Sequence, residues 1–150
     1  MKTACMRLMV FAGAMAMAAT LGWLPVHAQD GQKTTWDGVY SADQAKKGEA
    51  LYNAQCSKCH GDSAMGGDAP SLADSGFAGA WDTLDLSQLS DRIRVSMPLD
   101  APQTLTREES AALVAYLLKQ NRFPEGATAL PETAAGLSMV KYVATKPEGK

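Results

Sequence analysis

The sequence predicts an all-α fold of three or more helices joined by long loops. Apolar residues recur at helical spacing in three stretches, and two of these open on a capping-box pair. The segments between them are rich in Gly, Pro, Asp and Ser, which is loop chemistry. At 150 residues, 46% hydrophobic and 20% charged, the chain has room for one globular domain and no biased run of the disordered or fibrous kind.

Residues 1–28 read as a secretory signal peptide. Lys2 and Arg7 precede an uncharged apolar run from Leu8 to Leu24, and Val26-His27-Ala28 puts small residues at a cleavage site. An uncleaved anchor is the rival reading, since the run is close to the length that spans a bilayer. The alanine-rich run and its small-residue exit favour cleavage. Cleavage takes away Cys5, His27 and two positive charges but no acid. A chain of net charge −2 thus becomes more acidic and keeps only Cys56, Cys59 and His60 of those two residue types. That balance excludes a protein built to neutralise nucleic-acid phosphates, and the cysteines are too few for a disulfide scaffold.

Residues 29–40 read as a polar, extended arm, residues 41–124 as the folded domain and residues 125–150 as a tail. The first helix starts at Ser41, whose pairing with Gln44 makes a capping box, and Ala42, Ala45, Gly48 and Tyr52 recur at helical spacing as far as Gln55. Gly61 to Gly79 reads as a loop. Asp85 with Gln88 opens a second helix with Leu86, Leu89 and Ile93 on one face. It stops by Ser96, because Met97 precedes Pro98 and is pushed out of the α region. After a turn-rich stretch from Pro98 to Leu105, Thr106 and Glu109 form a second capping box. The helix behind it runs from Arg107 to about Asn121, with Leu113, Tyr116 and Leu117 on its apolar face. Beyond Phe123-Pro124 the tail has no firm period. Loops this long are uncommon in a compact domain unless something besides side chains organises them.

Cys56-Ser57-Lys58-Cys59-His60 supplies that organiser. C-x-x-C-H is the attachment signature of a c-type haem. One helical turn brings both thiols to one side, where each can form a thioether with a vinyl group, and the adjacent histidine can give its imidazole nitrogen to iron. Other uses of the pair fit less well. A thioredoxin-like redox motif wants a βαβ setting that is not here, and structural zinc wants four ligands that the chain lacks. A disulfide between residues three apart would close a strained loop.

With His60 alone after processing, bis-histidine ligation is excluded, as is histidine catalysis independent of the haem. Met65, Met97 and Met139 are the remaining soft donors. Met65 follows His60 too closely, and Met139 lies in the unpatterned tail. Met97 is far enough along the chain to reach the opposite haem face, and Pro98 fixes its backbone as extended. Met97 is therefore the expected sixth ligand.

These motifs identify a resemblance to the class I cytochromes c, of the monohaem bacterial periplasmic kind associated with quinoprotein and other dehydrogenases. The matching residues are Gly48-Glu49-Ala50-Leu51-Tyr52, Cys56 to Gly61, Ala69-Pro70-Ser71-Leu72, Phe77 with Trp81, Arg92-Ile93-Arg94 with Met97-Pro98, and Ala115-Tyr116-Leu117-Leu118, covering about Ser41 to Pro124. The resemblance implies a class I cytochrome c fold, its helices and loops wrapped around one covalently bound haem c. It implies that Gly48 lets the first helix cross the last closely, with Tyr52 and Tyr116 at the crossing. Pro70 would offer its carbonyl to the other ring nitrogen of His60, Leu72 would pack on the ring, and Trp81, Arg92 or Arg94 would contact the propionates.

The implied function is one-electron transfer in the periplasm, with a dehydrogenase as donor and a respiratory oxidase or another cytochrome as acceptor. Lys58 and the loop from Ala64 to Gly67 would line the exposed haem edge. The rival readings are a haem subunit of a dehydrogenase complex, or a ligand-binding or sensing haem protein with a labile sixth ligand. The sensing reading wants distal acid–base groups, and no histidine is left to serve. No nucleic-acid partner is expected, and the membrane enters only through an uncleaved signal. An acidic chain lacks a basic docking ring, so partner attraction is expected to be patchy or apolar.

Overall fold

The computed structural model describes residues 32–148, so the signal-peptide reading of residues 1–28 lies outside the described residues. Among the described residues six helices, α1 (Ala42–Gln55), α2 (Ser57–His60), α3 (Ser75–Trp81), α4 (Leu86–Ser96), α5 (Arg107–Gln120) and α6 (Ala134–Ser138), make up most of the regular structure. Two short strands, β1 (Lys33–Thr34) and β2 (Val140–Lys141), pair in parallel. The described residues thus form the expected all-α architecture of helices joined by long connections.

Helices α1, α4 and α5 lie where the spacing of apolar residues puts them. Thr106 and Glu109 form the full capping box of α5, each satisfying a backbone donor of the other. At α1 the box is only half made. Ser41 accepts from the Gln44 N–H, but the Gln44 amide leaves the cap and pairs with both backbone groups of Leu130 in the tail, at 2.8 and 3.1 Å. Met97 follows α4 in extended geometry (φ −123°, ψ 153°), as a residue before proline should.

Helix α5 is buried all round from Ser110 to Leu118, which a single amphipathic stripe would not produce. It crosses α1 at Gly48, where an added Cβ would stand 1.9 Å from the Ala112 carbonyl oxygen. The absent side chain thus sets the distance between the two helices. The rings of Tyr52 and Tyr116 pack beside the crossing with centroids 4.9 Å apart.

Two segments are more ordered than their composition suggests. The stretch after Gly61, expected as loop, contains a 3-10 turn at Asp62–Ala64 and then α3, whose N-cap Asp74 accepts from the Phe77 N–H at 2.8 Å. Seven residues with two glycines carry no helical signal; α3 is held instead by Phe77, Ala78 and Trp81 packing on the core. The aperiodic tail folds back to form α6 and β2, and β2 pairs with the arm. Tyr40 accepts at its carbonyl from the Gly126 N–H (2.7 Å), and its hydroxyl donates to the Phe123 carbonyl (2.7 Å). Arm and tail also contribute Val39, Tyr40, Leu130, Leu137, Val140 and Tyr142 to one hydrophobic cluster with α4 and α5.

Candidate functional site

On the other face of α5 a second cluster gathers Tyr52, Leu113, Tyr116 and Leu117, with Cys56 and Leu72 at its margin. This cluster does not close. It opens into a cleft of about 790 Å³, whose wall includes Leu72, Ile93, Leu113 and Leu117. That volume lies in the range of cofactor sites and is far more than local repacking would leave.

The cysteine motif forms the short helix α2 on one side of this cleft, and Cys56, Cys59 and His60 all line it. The two thiols are not joined to one another. Burial, reinforced by Cys59 beside it, pushes the Cys56 thiol up, so it is not the low-pKa thiolate of a redox or nucleophilic cysteine. The chain then doubles back sharply. Gly61 has φ +73°, and a Cβ there would meet the Gly66 carbonyl oxygen at 2.2 Å. The turn is held by the Gly66 N–H to the His60 carbonyl (2.7 Å) and the Ala69 N–H to the Cys59 carbonyl (2.9 Å). Tyr52, its phenol pushed up to about 12 chiefly by burial and so a neutral donor, donates a hydrogen bond to the Gly61 carbonyl at 2.7 Å.

This turn delivers Pro70 to the histidine. His60 Nδ1 donates to the Pro70 carbonyl at 2.8 Å, the hydrogen bond that the resemblance implies. A carbonyl can only accept, so the proton of this bond sits on Nδ1, which leaves Nε2 as the ring nitrogen available to a metal. Pro70 and Leu72 both line the cleft. Asn121, to which the sequence drew no attention, secures this loop by donating to the carbonyls of Leu72 and Leu117, both at 2.9 Å. Its place just past the end of α5 was the only available signal.

Met97 lines the same cleft from the end of α4. Met65 and Met139 do not line it and are 64% and 53% exposed. Of the residues expected at the propionates, Arg92 is on the cleft wall, whereas Trp81 and Arg94 are not. Trp81 ends α3 and packs on the closed cluster, with its ring 6.1 Å from that of Phe77. Arg94 turns back one helical turn to Asp91 (3.7 Å), and its buried Nε has no partner. Leu99 and Asp100 line the cleft without having been singled out, because a turn-rich stretch carries no period to mark them.

The donor set fits a haem. Two unpaired thiols and an imidazole with its other nitrogen already engaged share one apolar cleft with a thioether, and the buried Nε of Arg94 on α4, the helix that leads into Met97, lacks an acceptor. Among the described residues no cluster of three or more His, Cys, Asp or Glu could hold a bare metal ion. No described helix is long and apolar enough to cross a membrane.

Comparison with known proteins agrees. The family described as cytochrome C oxidase, cbb3-type, subunit III matches residues 43–117. A solved chain of the sulfane dehydrogenase SoxCD from Paracoccus pantotrophus is similar at 27% identity and a TM-score of 0.51. The likeness covers 71% of this chain and 61% of that one, so this chain spans less than two thirds of its length. No curated protein sequence gives a significant match. From residue 43 to residue 117 the chain belongs to that cytochrome c family, and it is a monohaem class I c-type cytochrome with covalently bound haem c.

Proposed function

We propose that the protein is a periplasmic one-electron carrier in which His60 and Met97 would both be ligands of the haem iron. Haem c supplies the couple, Fe(II)/Fe(III), when bound. The observation that carries this reading is the position of Met97, which shares the cleft with His60 while Met65 and Met139 stand outside it in solvent. Cys56 and Cys59 tether the group, and Pro70, by accepting from Nδ1, keeps Nε2 of His60 directed and basic. Leu72, Ile93, Leu113 and Leu117 exclude water, which favours the less charged ferrous state; Met/His ligation also raises the potential. Arg92, Arg94 and Trp81 remain the residues assigned to the propionates, and the unpartnered Nε of Arg94 supports its share of that role. With both His60 and Met97 as ligands, the iron would have no position left for oxygen or peroxide, as suits a carrier.

The signal-peptide reading of residues 1–28 places the protein in the periplasm. A dehydrogenase is the proposed donor, with a respiratory oxidase or another cytochrome as acceptor. Likeness to a chain of a sulfane dehydrogenase favours a second form of this reading, in which the protein is the electron-transfer subunit of a dehydrogenase complex rather than a free carrier. Carbon monoxide tests the shared core of both. The reduced protein is expected to be low-spin, to ignore carbon monoxide and to titrate with a one-electron slope. A high-spin reduced form that binds carbon monoxide at once overturns the carrier reading in favour of a ligand-binding haem protein.

A further inference from the structure

We propose that Lys58 and Asp100 form a latch that positions the Met97 loop across the cleft and sets how often the sixth position opens; the inference rests on Met97 being the sixth donor. Lys58 stands between the two cysteines on α2, and Asp100 lies three residues past Met97. Both line the cleft, and their side chains meet as an ion pair across 42 residues of sequence. The pair therefore ties the wall that carries His60 to the wall that carries Met97.

The loop has little else to hold it. Pro98 is buried at its start, and Leu105 is buried in the cleft-side cluster at its end. Between them Leu99, Asp100, Pro102, Gln103 and Thr104 are exposed. The other hydrogen bonds from Pro98 to Thr104 stay inside the loop: the Ala101 N–H donates to the Pro98 carbonyl (3.0 Å) and the Thr104 hydroxyl to the Ala101 carbonyl (2.8 Å). Among the described residues, Lys58–Asp100 is the one polar link from this stretch to another segment. A thioether is a soft, uncharged donor on a flexible stem, so its hold on iron depends on the backbone staying in place. Both partners are exposed, so the latch is light and salt can screen it. Its loss should open the sixth position more often without unfolding the domain.

Imidazole binding to the haem-loaded, ferric, full-length protein tests this, at a fixed mildly alkaline pH where the probe is neutral. At saturating imidazole the rate reports departure of Met97. Lys58→Gln and Asp100→Asn are each expected to raise that limiting rate about threefold, the scale of an exposed ion pair. High salt should raise the wild-type rate by a similar factor and leave both variants unmoved, and the exchanged pair Lys58→Asp/Asp100→Lys should return toward the wild-type rate. All these proteins should keep the long-wavelength methionine–iron band before imidazole is added. Variant rates equal to the wild-type rate, with that band present, overturn the latch alone. A wild type without the band, whose imidazole rate is unaltered by Met97→Ala, overturns the ligand assignment and the latch with it.

Discussion

Helix α5 separates two halves that are built differently. On one side Val114, Ala115 and Leu118 meet α4, the arm and the tail, and side chains close the core: Leu86, Leu118, Leu137 and Tyr142 are each 1% exposed or less. On the other side Leu113 and Leu117 face a cleft whose far walls are the cysteine helix and the Met97 loop. The same helix thus supports a core that is finished by side chains and one that is not. A chain of this size has little apolar surface to spare, so the open half is expected to depend on its prosthetic group for structure and the closed half to keep its frame without it.

The strongest way to break the comparison is to remove the tether. In Cys56→Ala/Cys59→Ala the cleft stays unfilled, and amide exchange should become about a hundredfold faster or more in residues 61–74 and 97–105. Leu137 and Tyr142 in the closed half should keep most of their protection. Equal loss in both halves would show that the closed half has no stability of its own.

Gly48→Ala attacks what the halves share. Its Cβ would fall 1.9 Å from a backbone oxygen of α5, and backbone cannot swing aside as a flexible side chain can. A cost of about 1–3 kcal/mol or more is expected, read as a lower melting temperature by probes in both halves. A melting temperature equal to wild type would mean that the crossing is looser than the structure has it.

A paired substitution on neighbouring positions of α5 sharpens the contrast. Leu118→Ala leaves a cavity in the closed half and should cost about 2–5 kcal/mol by denaturant titration while the reduction potential stays put. Leu117→Ala enlarges a space that is already open, so it should cost less stability but admit water and lower the potential. Potentials shifted equally by both would deny the separation of the halves.

Much of this was legible in the sequence, and the reason is chemical. The cysteine motif, the Met-Pro pair and the capping pairs are short-range signals whose spacing dictates local geometry, so α1, α4, α5 and the cleft wall at Cys56–His60 could be read directly. Helix α3 and the tail could not. Their order comes from tertiary partners: Phe77 and Trp81 on the closed cluster, Gln44 reaching Leu130, and β2 pairing with an arm over a hundred residues earlier. Capping propensity for Gln44 was overridden by that distant pair of hydrogen bonds. Trp81 and Arg94, which the resemblance brings to the propionates, lie off the cleft wall, Trp81 packed beside Phe77 on α3 and Arg94 beside Asp91 on α4.

The absorption spectrum of the ferric, haem-loaded protein tests the central claim most directly. The wild type should be low-spin and show the weak long-wavelength methionine–iron charge-transfer band. Met97→Ala should lose it, and Met65→Ala and Met139→Ala should keep it. Retention of the band in Met97→Ala, or its absence from the wild type, would contradict the assignment of His60 and Met97 as the axial pair.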